Sequence, residues 1–141
     1  MRISSFSIHP VAVADPPIRS SYGLNSPYAL RTILILDTDD GTRGVAEAHG
    51  GDGCVAALNA IRPMVLGMDP FQLHALWSGW GKPEASGDRS QTWMVPGENP
   101  RDARTRAFAA VQAACLDIIG KAVGKPVCDL VVGRARDEAP F

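Results

Sequence analysis

Ala107-Phe108-Ala109-Ala110-Val111-Gln112-Ala113-Ala114-Cys115-Leu116-Asp117-Ile118-Ile119-Gly120-Lys121-Ala122-Val123-Gly124-Lys125-Pro126 decides the fold. Its apolar residues recur at three and four. With Ala103 in front, Ala107, Val111, Ala114, Cys115, Ile118, Ile119 and Ala122 form one wide stripe, the signature of an amphipathic helix. Asn99-Pro100 opens the helix, and Gly124 and Pro126 end it, because glycine adopts a left-handed exit and proline cannot continue. Val127 to Val132 predicts one more helical turn before Gly133. A stripe this wide has to be buried against something, and the upstream residues supply the surface.

Tyr28 to Asp37 is the clearest strand, built on Thr32-Ile33-Leu34-Ile35-Leu36. Its continuous apolarity predicts a central strand covered on both faces. Thr38-Asp39-Asp40-Gly41 is a turn signal, and Thr42 to Ala48 returns as the partner. Upstream, Arg2 to Val13 reads as a strand that Asp15-Pro16-Pro17 breaks, since each proline lacks an amide donor. Ile18 to Pro27 reads as a polar loop, too long for a tight hairpin and therefore a candidate for function. Downstream, Asp52 is placed to cap a helix through Ala56, Ala57, Leu58 and Ile61, which Pro63 should kink or end. Asp69-Pro70 starts a short helix over Phe71 to Trp77, with Leu73, Leu76 and Trp77 inward. Ser78 to Glu98, with Gly79, Gly81, Gly87 and Gly97, shows no period and reads as an irregular loop. The predicted class is α+β: a three-stranded antiparallel β-meander followed by a helical bundle.

Composition limits the functions open to it. The 141 residues suit one domain, and 45% apolar with 21% charged residues is ordinary for a folded protein. A formal net charge of -1 offers no basic field for nucleic acid. No apolar run approaches the roughly 18 residues of a membrane span, and the N-terminus has no signal-peptide core. Cys54, Cys115 and Cys128 have no zinc spacing, so free thiols and a cytoplasmic setting are expected.

Few motifs carry chemistry. Gly51-Asp52-Gly53-Cys54-Val55-Ala56 fits the spacing of a dinucleotide fingerprint, yet its preceding strand belongs to an antiparallel hairpin, so it is rejected. What remains is a glycine turn into a helix N-terminus, either an anion site or simply a change of direction. Of the histidines, His9 and His74 suggest surface or structural roles, whereas His49 borders that turn. Glu47 reads better as a structural strand-end carboxylate than as a catalyst.

Ala114 to Val127, with Leu130 and Gly133, resembles the helix and exit that close the N-terminal domain of the enolase superfamily, in its mandelate racemase and muconate lactonizing enzyme branch. Ser21 to Thr32, Gly67-Met68-Asp69-Pro70-Phe71 and Asp102-Ala103-Arg104-Thr105 resemble the glucarate dehydratase group within it. The resemblance implies a capping domain over residues 1–133 and, from 134 to 141, the approach to the first strand of a β/α barrel that is absent here. The barrel would carry the catalytic lysines, the His-Asp dyad and the magnesium ligands; no Lys-x-Lys occurs in this sequence. The chain itself is then expected to bind no magnesium and to be inactive alone. Two cap loops, Ile18 to Pro27 and His49 to Gly53, would close on an acid-sugar substrate. The implied substrate-binding residues are Ser20, Tyr22, Asn25, His49 and Thr105. Asn25 stands where glucarate dehydratases usually carry histidine, which points to a relative of those enzymes.

Three readings follow from the sequence. The chain is the specificity cap of a magnesium-dependent acid-sugar dehydratase, or the cap of a racemase, epimerase or cycloisomerase, or a free-standing interaction module of the same fold. Without a barrel, apolar surface on the long helix or around Trp77, Trp80 and Trp93 is expected to be exposed and to drive homo-oligomerisation.

Overall fold

The computed structural model describes residues 1–19, 25–80, 100–136 and 138; for 15–19, 25–27 and 100–102 the description is of the backbone. Strands β1 (Ile3–Arg19), β2 (Asn25–Thr38) and β3 (Arg43–His49) form one antiparallel sheet in the order β1-β2-β3, with β2 central. The expected meander is present. Gly41, at φ 86°, turns the chain between β2 and β3 and donates to the Thr38 carbonyl at 3.0 Å. The Thr38 hydroxyl donates to Asp40 Oδ1 at 2.5 Å, and this bond, with the Thr42 amide, holds the Asp40 carboxyl below its ordinary pKa.

The N-terminal arm differs from the sequence reading. The prolines do not end β1, which stays paired as far as Arg19 opposite Asn25. Instead the register shifts between Ala14 and Ile18. A bulge accommodates two residues that cannot donate, because their fixed φ is still that of an extended chain. Half of the expected loop, 18–19 and 25–27, is therefore strand, and the other half, 20–24, lies outside the described residues. β3 pairs no further than His49 opposite Arg31. The β1–β2 hairpin thus continues six residues beyond its neighbour to Asn25, an overhang of about 20 Å at strand rise.

One face of the sheet is the core. Phe6, Thr32, Leu34, Leu36, Ala46 and Ala48 are buried on it. Ile33 and Ile35, expected to be fully covered, are only half-buried, and their neighbour Val45 is exposed. The continuous apolar run signals a central strand, but helices cover only its inner side among the described residues.

Helix α1 (Asp52–Val65) starts one residue earlier than expected. Gly51, at φ 104°, takes the capping position, and Asp52 is the first helical residue. Its carboxylate there favours the helix dipole without a side-chain cap bond. Pro63 lies inside, and the helix ends two residues later. Asp69 caps as expected, Oδ1 accepting from the Phe71 amide at 3.1 Å. It opens a 3-10 turn, Pro70–Gln72, that passes into α2 (Leu73–Trp80). That helix runs longer than predicted because Trp80 has a buried place to occupy.

Helix α3 (Pro100–Val123) packs on β3 and α1. Ala103, Ala107, Val111, Ala114, Cys115, Ile118 and Ile119 are buried as the stripe predicts, with Phe108 and Ala110 added. Ala122 is exposed, since the stripe rotates off the core before the helix ends. The approach of α3 to β3 explains Gly44: a Cβ there would sit 2.2 Å from the Ala114 carbonyl oxygen. Lys125 N–H closes the exit on the Gly120 carbonyl at 2.9 Å, and the expected last turn is α4 (Val127–Val131).

The expected exposure on the long helix and around the tryptophans is found only in part: Val123, at the end of α3, is exposed, and Trp77 lines an open cleft. The stripe is the core, Trp80 is buried and Trp77 is half-buried with its ring 4.6 Å from that of Phe108. Trp93 lies outside the described residues. No helix among the described residues is long and apolar enough to cross a membrane.

Candidate functional site: clefts flanking the third helix

The strand directions put the two expected loops at one end of the sheet. β2 begins at Asn25 and β3 finishes at His49, antiparallel to each other, so Arg19, Asn25 and His49 all lie at the end opposite the Asp39–Thr42 turn. Chain leaving β3 there turns through Gly50 and Gly51. Gly50 has no room for a side chain, because a Cβ would meet Leu30 Cβ at 2.4 Å. Its amide donates to the Leu30 carbonyl at 3.0 Å, fixing the turn against β2.

Among the described residues, two clefts border α3. The first, of ≈ 360 Å³, is lined by Arg31, Glu47, Ala48, His49, Arg106, Ala109 and Ala110. The alanines leave the space, and the polar side chains give it character. Arg31 Nε and Glu47 Oε1 are paired at 2.8 Å, so Glu47 holds a structural ion pair rather than a free catalytic carboxylate. Among the described residues Arg106 has no such ion pair. Its Nη1 is enclosed and has no hydrogen-bond partner among the described residues. His49 is held below its ordinary pKa, first by desolvation and then by the Arg106 and Arg31 charges, with Glu47 opposing. The ring therefore favours its neutral form, one nitrogen donating and the other accepting. Burial raises the Cys54 thiol pKa in the first turn of α1, and the Arg106 charge partly opposes that.

The second cleft, of ≈ 520 Å³, is lined by Leu73, His74, Trp77, Thr105, Phe108, Ala109 and Gln112. It is more apolar, with a hydroxyl, an imidazole and an amide at its margin. Ala109 borders both clefts.

Of the five residues expected to bind substrate, His49 and Thr105 are thus placed in neighbouring clefts rather than in one. Asn25 opens β2 with its backbone opposite Arg19. Ser20 and Tyr22 lie outside the described residues, as does the side chain of Asn25. Arg31 and Arg106 were not singled out by sequence. The available signal was an arginine between Ala103 and Ala110 on the helical repeat, next to the buried stripe rather than opposite it. Arg104 has a structural place: its guanidinium stacks 4.3 Å from the Trp80 ring and donates to the Trp80 carbonyl, while Trp80 Nε1 donates back to the Arg104 carbonyl at 3.2 Å.

Among the described residues no three His, Cys, Asp or Glu side chains gather as a metal site requires. The cysteines are free; Cys115 is buried and its thiol is pushed up to about 12 by desolvation. The rejected dinucleotide fingerprint is indeed no part of a βαβ unit, as β3 runs antiparallel to β2.

Known proteins give this arrangement a lineage. A probable glucarate dehydratase of Streptomyces coelicolor is 28% identical over all of this chain, which covers 34% of that protein. A D-xylonate dehydratase of Haloferax volcanii is 29% identical over 81% of the chain and 24% of its own length. The chain therefore spans about a third or less of these relatives. Among solved structures, an enolase from Pseudomonas fluorescens with bound magnesium, potassium and tartrate superposes with a TM-score of 0.81 and 30% identity, over 99% of this chain and 34% of that one. An enolase from Thermobispora bispora, complexed with magnesium and formate, gives 0.80 and 31%, over 100% and 34%. Residues 3–132 match the N-terminal domain model of mandelate racemase / muconate lactonizing enzyme, and the chain belongs to that family within the enolase superfamily.

Proposed function

We propose that residues 1–133 are the substrate-specificity cap of a magnesium-dependent acid-sugar dehydratase, with 134–141 leading into its catalytic barrel. The relatives support the reaction class, being dehydratases of glucarate, xylonate and mannonate. The observation that carries the capping role is topological. The hairpin arm, which reaches about 20 Å further, and the turn after His49 leave the same end of the sheet, so both stand on the side from which a ligand would be covered. Closure of this kind excludes water and orients the substrate. In this reading Ser20, Tyr22, Asn25, His49 and Thr105 hold the polyhydroxy chain of the substrate. Magnesium, held in the solved relatives, would stabilise the enediolate formed when a proton leaves the carbon next to a carboxylate. The described residues of this chain do not make a site for it. The cap's own contribution is position and selectivity.

An exchange experiment tests the reading. Residues 1–133 replace the corresponding domain of the Streptomyces relative, and turnover of a panel of acid sugars is measured with magnesium. Retained dehydration with a changed order of kcat/KM supports a specificity cap. An unchanged order, in a folded chimera, counts against it, as does magnesium-dependent dehydration by the 141-residue chain alone. A racemase or epimerase parent is the second reading, favoured by the likeness to an isomerase from Streptomyces coelicolor at a TM-score of 0.72 and 28% identity. Product analysis of the natural parent separates the two, since dehydration yields a keto acid and epimerisation leaves the formula unchanged.

A further inference from the structure

We infer that the open edge of β1 over residues 6–10, with the adjoining face of α1, is a docking groove for an extended acidic peptide, which joins the sheet there as a fourth strand. The inference goes beyond the cap reading and does not depend on it.

The backbone decides what this edge offers. The Gly50 amide donates to the Leu30 carbonyl, so Leu30 and, by alternation, Thr32, Leu34 and Leu36 turn their backbone groups towards β3. Arg31, Ile33 and Ile35 then turn theirs towards β1, where their partners are Val11, His9 and Ser7. The alternate residues of β1, Phe6, Ile8 and Pro10, therefore point their backbone groups away from the sheet. Pro10 fits this alternation, because an outward position is one where a paired strand can lack a donor. Ile3 fits it too, on the far side of the register shift between Ile3 and Ser5. Its amide donates outward to the Met68 carbonyl at 2.9 Å, and its carbonyl accepts from Gly67 at 2.8 Å. That loop closes the edge at Ile3. Among the described residues nothing covers the backbone groups of Phe6 and Ile8, whereas Asp117 takes up the Val45 amide on the opposite edge of the sheet.

A helix face lies beside the open groups. A groove of ≈ 390 Å³ is lined by Phe6, Ile8 and Pro10 of β1 and by Val55, Asn59 and Arg62 of α1. The three helical residues are spaced four and three apart and so share one face. A strand added beyond β1 alternates its side chains, and every second one lies over that face. Asn59 Nδ2 donates to the Val55 carbonyl at 3.0 Å, which leaves Oδ1 to accept from a ligand. Arg62 supplies the charge. Its guanidinium stands 5.9 Å from the centre of the Phe6 ring, and it enters no ion pair among the described residues. No carboxylate lines the groove, and His9 adds no negative charge, so an acidic ligand is the complement. Arg62 marks the Phe6 end. A peptide running antiparallel to β1 thus brings its C-terminal carboxylate to the guanidinium. Main-chain bonds supply the attachment and Arg62 the preference for an acidic end. Pro10 stops the ladder at the other end and keeps the added strand short.

The probe is the peptide acetyl-Thr-Val-Thr-Val-Glu with a free C-terminus, titrated into the 141-residue chain and followed by NMR. Saturable binding is expected, with amide exchange at Phe6 and Ile8 slowed at least about tenfold and exchange at Ala12, beyond Pro10, unchanged. Arg62→Gln should weaken binding at least about tenfold, as loss of a charge-assisted bond does. Ile8→Pro removes an outward donor and no bond to β2, so it should abolish binding and leave the β1–β2 pairing intact. If that variant fails to fold, the same peptide methylated on its backbone nitrogens makes the test on the unaltered chain, and it should not bind. Absence of saturable binding, unslowed exchange at Phe6 and Ile8, equal binding by Arg62→Gln, or equal binding of an amidated peptide ending in lysine would each overturn the assignment. Protection of Phe6 and Ile8 in the free chain that rises with protein concentration would also overturn it, giving the edge to a second copy.

Discussion

Single residues carry more of this fold than their size suggests. Gly44 is the contact point of β3 and α3, and its missing side chain sets how closely they approach. Gly44→Ala must push a methyl into the Ala114 carbonyl and Ile118 Cγ1, both backbone-adjacent and buried. The expected loss is about 1–3 kcal/mol, as for other overpacked sites, read as a lower urea midpoint with the slope unchanged. His49 makes the second test. Its folded pKa lies below the ordinary histidine value of 6.5, so between those two values the unfolded chain binds more protons than the folded one. Its contribution to stability is therefore present above pH 6.5 and is lost as pH falls through the folded pKa. Desolvation is the larger cause and Arg106 the next. An NMR titration should find His49 titrating below an unstructured histidine, and Arg106→Gln should move it part of the way back. A His49 pKa unchanged by that substitution would show that the two side chains do not share a cleft. Little of this was legible in sequence. Gly44 sits in an ordinary strand run, and nothing in the spacing of His49 and Arg106 says that β3 and α3 bring them together.

At the scale of elements the sequence was more informative, for a physical reason. Helix α3 has a period strong enough to predict its buried face, and β2 has the apolar density of a central strand. Both signals are local, and tertiary structure only completes them. The failures came where local rules admit two outcomes. Pro16 and Pro17 remove donors, yet their φ suits an extended arm, so the chain bulged and continued. The edge of β3 shows a device that no local rule predicts. The Val45 amide donates to Asp117 Oδ2 at 3.0 Å, across from α3, and Lys121 joins the same oxygen at 2.7 Å while donating to the Arg43 carbonyl at 2.8 Å. One helical ion pair thus covers part of a strand edge that would otherwise offer free backbone groups to another chain. Asp117→Ala should cost about 1–2 kcal/mol, mostly from the Val45 bond, because the partly exposed Lys121 pair is screened by water and salt. Asp117→Asn keeps an acceptor and should recover most of it. Equal losses in the two variants, by urea unfolding, would assign the effect to the ion pair instead.

The whole molecule leaves apolar surface in a place the sequence did not indicate. Burial of the α3 stripe and Trp80 empties the region expected to be sticky. Exposed instead are Val127, Leu130, Val131 and Val132 at and after α4, with Val132 at 90%, and Val123 one turn before. Five exposed branched side chains fall within ten residues of chain, and exposed apolar surface concentrated in this way favours association. The exposed valines of the β1 arm, Val11 and Val13, lie on a different element and cannot by themselves make that surface. We propose that the 141-residue chain self-associates through the α4 surface. Sedimentation velocity should show a sedimentation coefficient that rises with concentration. Val131→Lys combined with Val132→Lys should shift the population towards monomer without lowering the melting temperature, because neither side chain is part of the core. Monomer at every concentration in the unmodified chain would reject self-association. Undiminished assembly in the double variant would move the contact to the hairpin arm, where Val11→Lys and Val13→Lys provide the corresponding test.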